Sequence, residues 1–159
     1  MPEVELSYGA RILILEDEEP LRRMLQEILG MKGYACETAA TVDEALALWS
    51  REMSGPSPFR LGVTDLTLGD GPGGVDFARA IRKLDPTARL IACSGDSTNP
   101  VILEPGRYGF DGTLTKPFLF GALLETLTRV LGGTANDVST IGLPQDANHA
   151  KLFRLGEHP

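Results

Sequence analysis

LGVTDLTLGDGPGG, residues 61–74, decides the reading of this chain: a short apolar strand ends on a carboxylate, Asp65, and then dissolves into glycine. Leu61 and Val63 read as buried strand positions. The run Gly69, Gly71, Pro72, Gly73 and Gly74 can neither continue a sheet nor start a helix before about residue 74. Asp65 is therefore expected at the carboxyl end of a strand. In open α/β sheets that edge carries ligands, because its loops are free to hold chemistry while the strands keep them still. A lone Asp there also serves as an ordinary turn residue, so the question becomes what the other strands deliver to the same edge.

Upstream, RILILE (11–16) is a continuous apolar run with the length of a strand buried on both faces, and it too ends in acid. Pro20 suits a first helical position, and Leu21, Met24, Leu25 and Ile28 follow at helical spacing until Gly30 and Gly33. YACETA (34–39) is a weaker strand. Thr41 then caps a second helix that carries Val42, Ala45, Leu46 and Trp49 on one face. The organising strand runs from about Phe59 to Asp65.

Downstream, Val75, Ala78, Ile81 and Leu84 mark a third helix, ended by Asp85-Pro86. ARLIACS (88–94) is a fourth strand. The segment 97–108 should hold only a turn or two of helix, because Pro105 falls where a helix needs its amide. FDGTLT (110–115) reads as a fifth strand, and Phe120, Leu123, Leu124, Leu127 and Leu131 form the last helix before Gly132-Gly133. This alternation predicts a parallel sheet covered on both faces by right-handed crossovers.

Three stretches are expected: a lead at 1–9, one domain over 10–132, and a polar tail or linker at 133–159. The tail is too short for an effector domain. It is expected to be disordered or to add one short helix around Ala147–Leu155.

The net charge of −7 argues against a nucleic-acid partner, which would need a Lys/Arg-rich face. No apolar run approaches a bilayer span, and no signal peptide is apparent. Cys36 and Cys93 lie inside apolar segments and read as small buried hydrophobes in a reducing compartment, so a cytoplasmic location is expected.

The carboxyl ends of the strands share one rim. The first strand delivers Glu16 and Asp17 to it, the third Asp65, the fourth Ser94, and the fifth Lys116 followed by Pro117. Three carboxylates brought together repel one another unless a cation compensates, and hard, partly hydrated oxygen ligands suit Mg²⁺. A lysine and a hydroxyl at the same rim are what a phosphoryl group needs besides the metal.

In motifs and spacing together, residues 10–132 resemble the response-regulator receiver domains of two-component signalling. ILILEDEEPLRRML is similar to the family's first strand, acidic pair and first helix. TDLTL carries the phosphoacceptor position, CSG the hydroxyl and LTKPF the lysine. SGDSTNPV…YGFDGTLTKPF further resembles receivers attached to hybrid sensor histidine kinases. The resemblance implies a flavodoxin-like (βα)5 doubly wound sandwich with strand order 2-1-3-4-5.

It also implies that Asp65 takes a phosphoryl group from a phosphohistidine of a sensor kinase or histidine phosphotransfer protein, for relay to a downstream protein. Asp65 and Asp17 would bind Mg²⁺ directly, Glu16 would act through water, and the carbonyl of Thr67 would complete the protein ligands. Ser94 and Lys116 would hold phosphate oxygens, and Lys116-Pro117 would be a cis bond.

Three positions depart from the family pattern. The acidic pair is Glu-Asp rather than Asp-Asp; the usual Pro after the acceptor is Gly69, with Gly74 opening the helix one residue late; and Thr113 stands where an aromatic is usual. Signalling without an aromatic switch is therefore expected. The alternative is a receiver-like interaction module that is not phosphorylated, but such a chain would be expected to have lost one of these groups, and all are present. A flavodoxin-like mononucleotide binder needs an anion loop after the first strand, and EDEE there repels phosphate. A phosphatase of the commonest aspartyl-phosphate family would carry Asp where Thr67 stands.

Overall fold

The computed structural model describes residues 10–132 and the backbone of 154–155. The elements are β1 (Arg11–Leu15), α1 (Glu19–Met31), β2 (Ala35–Ala39), α2 (Val42–Glu52), β3 (Leu61–Asp65), α3 (Gly74–Leu84), β4 (Arg89–Ser94), a four-residue α4 (Pro100–Leu103), a 3-10 turn (Pro105–Tyr108), β5 (Gly112–Thr115), β6 (Phe118–Leu119), α5 (Phe120–Val130) and β7 (Arg154–Leu155). β1 to β5 form one parallel sheet of order β2-β1-β3-β4-β5. This is the doubly wound α/β arrangement expected from the alternation.

Because side chains alternate across a strand, the sheet divides the core in two. Ile12, Ile14, Leu61, Val63, Ile91 and Cys93 face α1 and α5. Leu13, Leu15, Leu90 and Ala92 face α2 and α3. On the second face Gly62 leaves room for Trp49 and Phe77 to lie against the sheet, their rings 6.3 Å apart and edge to face. Cys93 is buried as expected, whereas Cys36, on the edge strand β2, is only half-buried; burial pushes both thiols up to about 12.

Several local expectations change. The buried stripe of α1 is Leu21, Leu25, Leu29, and Met24 is exposed. In α3 the stripe is Gly74, Phe77, Ala78, Ile81; Leu84 is exposed, because Phe77 and Ile81 already cover the sheet. β3 begins at Leu61, with Phe59 buried beside Trp49 rather than paired in the ladder. Thr41 does cap α2, its hydroxyl accepting from the Glu44 amide at 3.2 Å.

The helix expected around residues 147–155 is not what the chain forms at its described end. The backbone of Arg154–Leu155 runs antiparallel to Phe118–Leu119, whose backbone groups β7 satisfies. The rest of that span, and the lead at 1–9, lie outside the described residues. Among the described residues no helix is long and apolar enough to cross a membrane.

The loop after β3 sets the rim. An ideal Cβ on Gly74 would lie 2.7 Å from the Asp65 carbonyl oxygen and 3.1 Å from the Thr64 hydroxyl, so only glycine lets α3 start this close to the strand end. Gly74→Ala is expected to cost about 1–3 kcal/mol in urea denaturation through this clash. A loss no larger than at an exposed helical glycine such as Gly30, whose Cβ would meet nothing within 4 Å, would show that the loop shifts freely.

Candidate functional site

Four strand ends converge because the ladder continues past them. The Glu16 amide donates to the Ala39 carbonyl at 3.0 Å, the Leu66 amide to the Cys93 carbonyl at 3.0 Å, and the Lys116 amide to the Ser94 carbonyl at 2.7 Å. The residues following β1, β3 and β5 are thereby held in register with the sheet. Each of Glu16, Asp17 and Asp65 offers a carboxylate oxygen, and these lie within 4.8 Å of one another. Glu16 is buried, Asp65 half-buried and Asp17 exposed.

Lys116 reaches into this group from the far side. Its Nζ donates to Glu16 Oε1 at 2.9 Å and to Asp65 Oδ2 at 3.0 Å. The Lys116-Pro117 bond is cis. Glu16 Oε2 accepts from the Glu18 amide at 3.2 Å, and Asp65 Oδ1 from the Thr67 amide at 3.3 Å. Burial pushes the Glu16 carboxyl up to about 7, although Lys116 pulls it back. Burial alone would lower the Lys116 pKa, but its bonds to Glu16 and Asp65 and their charges hold it above its ordinary value. The lysine is thus a fixed cation.

Ser94 is at the rim but faces its own loop: its Oγ accepts from the Asp96 amide at 3.0 Å and donates to the Asp96 carbonyl at 3.5 Å. Thr67 is exposed beside Asp65. Gly69 takes φ +59°, and an ideal Cβ there would lie 4.0 Å from Asp17 Oδ2, so the loop folds back over the acidic pair. A proline ring fixes φ near −65°, which gives a physical reason for glycine at this place.

Two residues with a part in this geometry were missed in the sequence. Arg22, on the first turns of α1, donates from Nη1 to the carbonyls of Glu16 at 2.8 Å and Asp17 at 3.4 Å, fixing the acidic turn. Thr64 is fully buried, and its hydroxyl donates to the Asp65 carbonyl at 3.0 Å. A hydroxyl inside an apolar strand was the available signal for Thr64. Nothing in the spacing marks Arg22.

The family model of the response regulator receiver domain matches residues 12–128. This chain belongs to that family. It is 28% identical to chemotaxis protein CheY of Thermotoga maritima over 122 residues, 77% of this chain and 98% of that one. It spans 26% to 60% of several longer regulators that it also matches.

Two solved structures are informative. The response regulator TrrA of Thermotoga maritima, in complex with Mg²⁺ and BeF, superposes with TM-score 0.63 at 26% identity, covering 76% of this chain and 98% of that one. The receiver domain of hybrid histidine kinase CckA gives TM-score 0.63 at 26% identity, covering 77% and 99%. The cluster of Glu16, Asp17 and Asp65 resembles a receiver phosphorylation site.

Lys116 is expected to be a structural counter-ion as well as part of the site. Lys116→Met leaves Glu16 and Asp65 facing each other and should cost about 1–3 kcal/mol in metal-free urea denaturation. Asp17→Asn should act in the opposite direction by relieving repulsion. Equal and opposite effects are not required, but two shifts of the same sign would contradict the geometry.

Proposed function

We propose that Asp65 accepts a phosphoryl group from the phosphohistidine of a sensor histidine kinase or histidine phosphotransfer protein, and that the chain passes the signal to a downstream protein. The observation that carries this reading is Lys116 Nζ bonded to Asp65 at 3.0 Å within the three-carboxylate cluster. A carboxylate oxygen of Asp65 attacks phosphorus in line; the new P–O bond forms as the P–N bond to histidine breaks, and the imidazole leaves with the electron pair. Lys116 and Ser94 hold the phosphoryl oxygens. For Ser94 this means exchanging its bond to the Asp96 amide for one to phosphate.

The donor set fits a hard divalent cation, being all oxygen. Glu16 is buried, whereas Asp17 is exposed and Asp65 half-buried, so Asp17 and Asp65, with the Thr67 carbonyl, would hold Mg²⁺ and Glu16 would act through water. When bound, the ion neutralises charge developing on the phosphoryl oxygens. Hydrolysis of the acyl phosphate on the chain itself would reset the signal. The CckA likeness supports origin from a hybrid kinase, and the composition supports a cytoplasmic location. Residues 10–132 would be the receiver unit and 133–159 a tail or linker.

Incubation with acetyl phosphate and Mg²⁺ should add one phosphate by intact mass. Asp65→Asn should add none, and chelation should abolish the gain. Asp17→Asn should weaken Mg²⁺ binding, measured calorimetrically, far more than Glu16→Gln does. Equal uptake by Asp65→Asn would overturn the assignment.

Thr113 cannot fill a ring's volume, so the differential contact that shifts the population falls on the connection carrying Ser94. Beryllofluoride, standing in for the phosphoryl group, should slow hydrogen exchange across 95–108. Protection confined to 67–74 would send the signal by another route.

A further inference from the structure

Beyond the rim, between α3 and the 3-10 turn of Pro105–Tyr108, lies an open groove of about 390 Å³. Its lining carries four cations, Arg79, Arg82, Lys83 and Arg107, on a chain whose net charge is −7. They are not equivalent. Arg82 is a structural wall: its guanidinium donates to the Gly109 carbonyl at 2.7 and 3.0 Å and pairs with Asp111 at 2.8 Å. Arg107 meets Glu104 at 3.2 Å, but both are well exposed, and such a pair is worth little.

Arg79 and Lys83 stand one turn apart on α3, both exposed, their side chains making no hydrogen bond or ion pair to any described residue. Like charges at this spacing repel, and neither side chain is paired with an acid of the described chain. Beside them Tyr108 and Val75 are half-buried, packed against the core and also lining the groove. A cationic rim around an aromatic and aliphatic patch matches carboxylates flanking an apolar side chain. A nucleic acid would need a longer basic stripe than this one. A free phosphate would make no use of the apolar patch.

We propose that this groove docks an acidic segment of a partner protein, which sets an aromatic or aliphatic side chain on Tyr108 and Val75 and its carboxylates against Arg79, Lys83 and Arg107. The surface is complete without modification of Asp65. It can therefore be tested in the unphosphorylated full chain, separately from the phosphoacceptor reading.

The probe is a short peptide of glutamates flanking a central phenylalanine, followed by amide chemical shifts of the ¹⁵N-labelled chain. Saturable shifts are expected at Val75, Arg79, Lys83, Tyr108 and Gly109. A glutamine version of the peptide, and the Arg79→Glu/Lys83→Glu chain, should each bind about tenfold or more weakly. Arg107→Glu serves as a second variant on the opposite wall, and unchanged amide shifts of each variant away from the groove check its fold. Absence of saturable shifts at about 1 mM peptide overturns the proposal. So does equal binding of the glutamine peptide, or the same shifts with inorganic phosphate alone, which would make the site one for small anions.

Discussion

Lys116 Nζ lies between Glu16 and Asp65, and the rest of the rim depends on that placement. Two carboxylates within 4.8 Å of one another repel by at least about 3 kcal/mol at an effective dielectric near 20, several times the net worth of an ordinary hydrogen bond at ~1 kcal/mol. A domain of this size has only about 5–15 kcal/mol of stability in all. The acidic cluster is therefore tolerable only with its cation, and the cation must come from a strand end facing both acids. β5 supplies it because the Lys116 amide continues the ladder onto the Ser94 carbonyl, which fixes where the side chain starts.

That constraint explains why the site was legible before the fold was seen. Apolar runs ending in Glu16-Asp17, Asp65, Ser94 and Lys116 are readable as strand ends, and parallel topology forces their ends onto one edge. Boundaries were less legible where packing overrides pattern. Phe59 is apolar and buried, yet it stacks on Trp49 at 5.4 Å instead of joining β3. Met24 sits one residue off the Leu21, Leu25, Leu29 stripe and stays outside.

Side-chain partnerships between distant elements were the least legible. Arg22 on the acidic turn, and Arg82 joined to Gly109 and Asp111, are single arginines whose role depends on where a loop comes to rest. The orientation of Ser94 was equally hidden. A hydroxyl takes the acceptor or donor at hand, and in this state that is Asp96. The extended backbone at 154–155 followed from a partner edge at Phe118–Leu119, which no periodicity in the tail encodes.

The two faces of β5 differ in how much they can yield. Toward α5 the strand is clamped: a Cβ on Gly112 would lie 2.9 Å from Val130 Cγ2 and 3.3 Å from Thr126 Cγ2. On the opposite face, where an aromatic is usual, there is only Thr113, and the cover is a four-residue helix and a 3-10 turn. Both ends of that cover are pinned. Ser94 is fixed by β4, while Arg82 holds the Gly109 carbonyl and Asp111 accepts the Leu90 amide at 2.8 Å. A bonding change at Ser94 therefore meets resistance in the sheet and beyond Gly109, and the compliant chain between them is residues 95–108. That same stretch forms one wall of the basic groove, which places Arg107 and Tyr108 on the chain between the two fixed points.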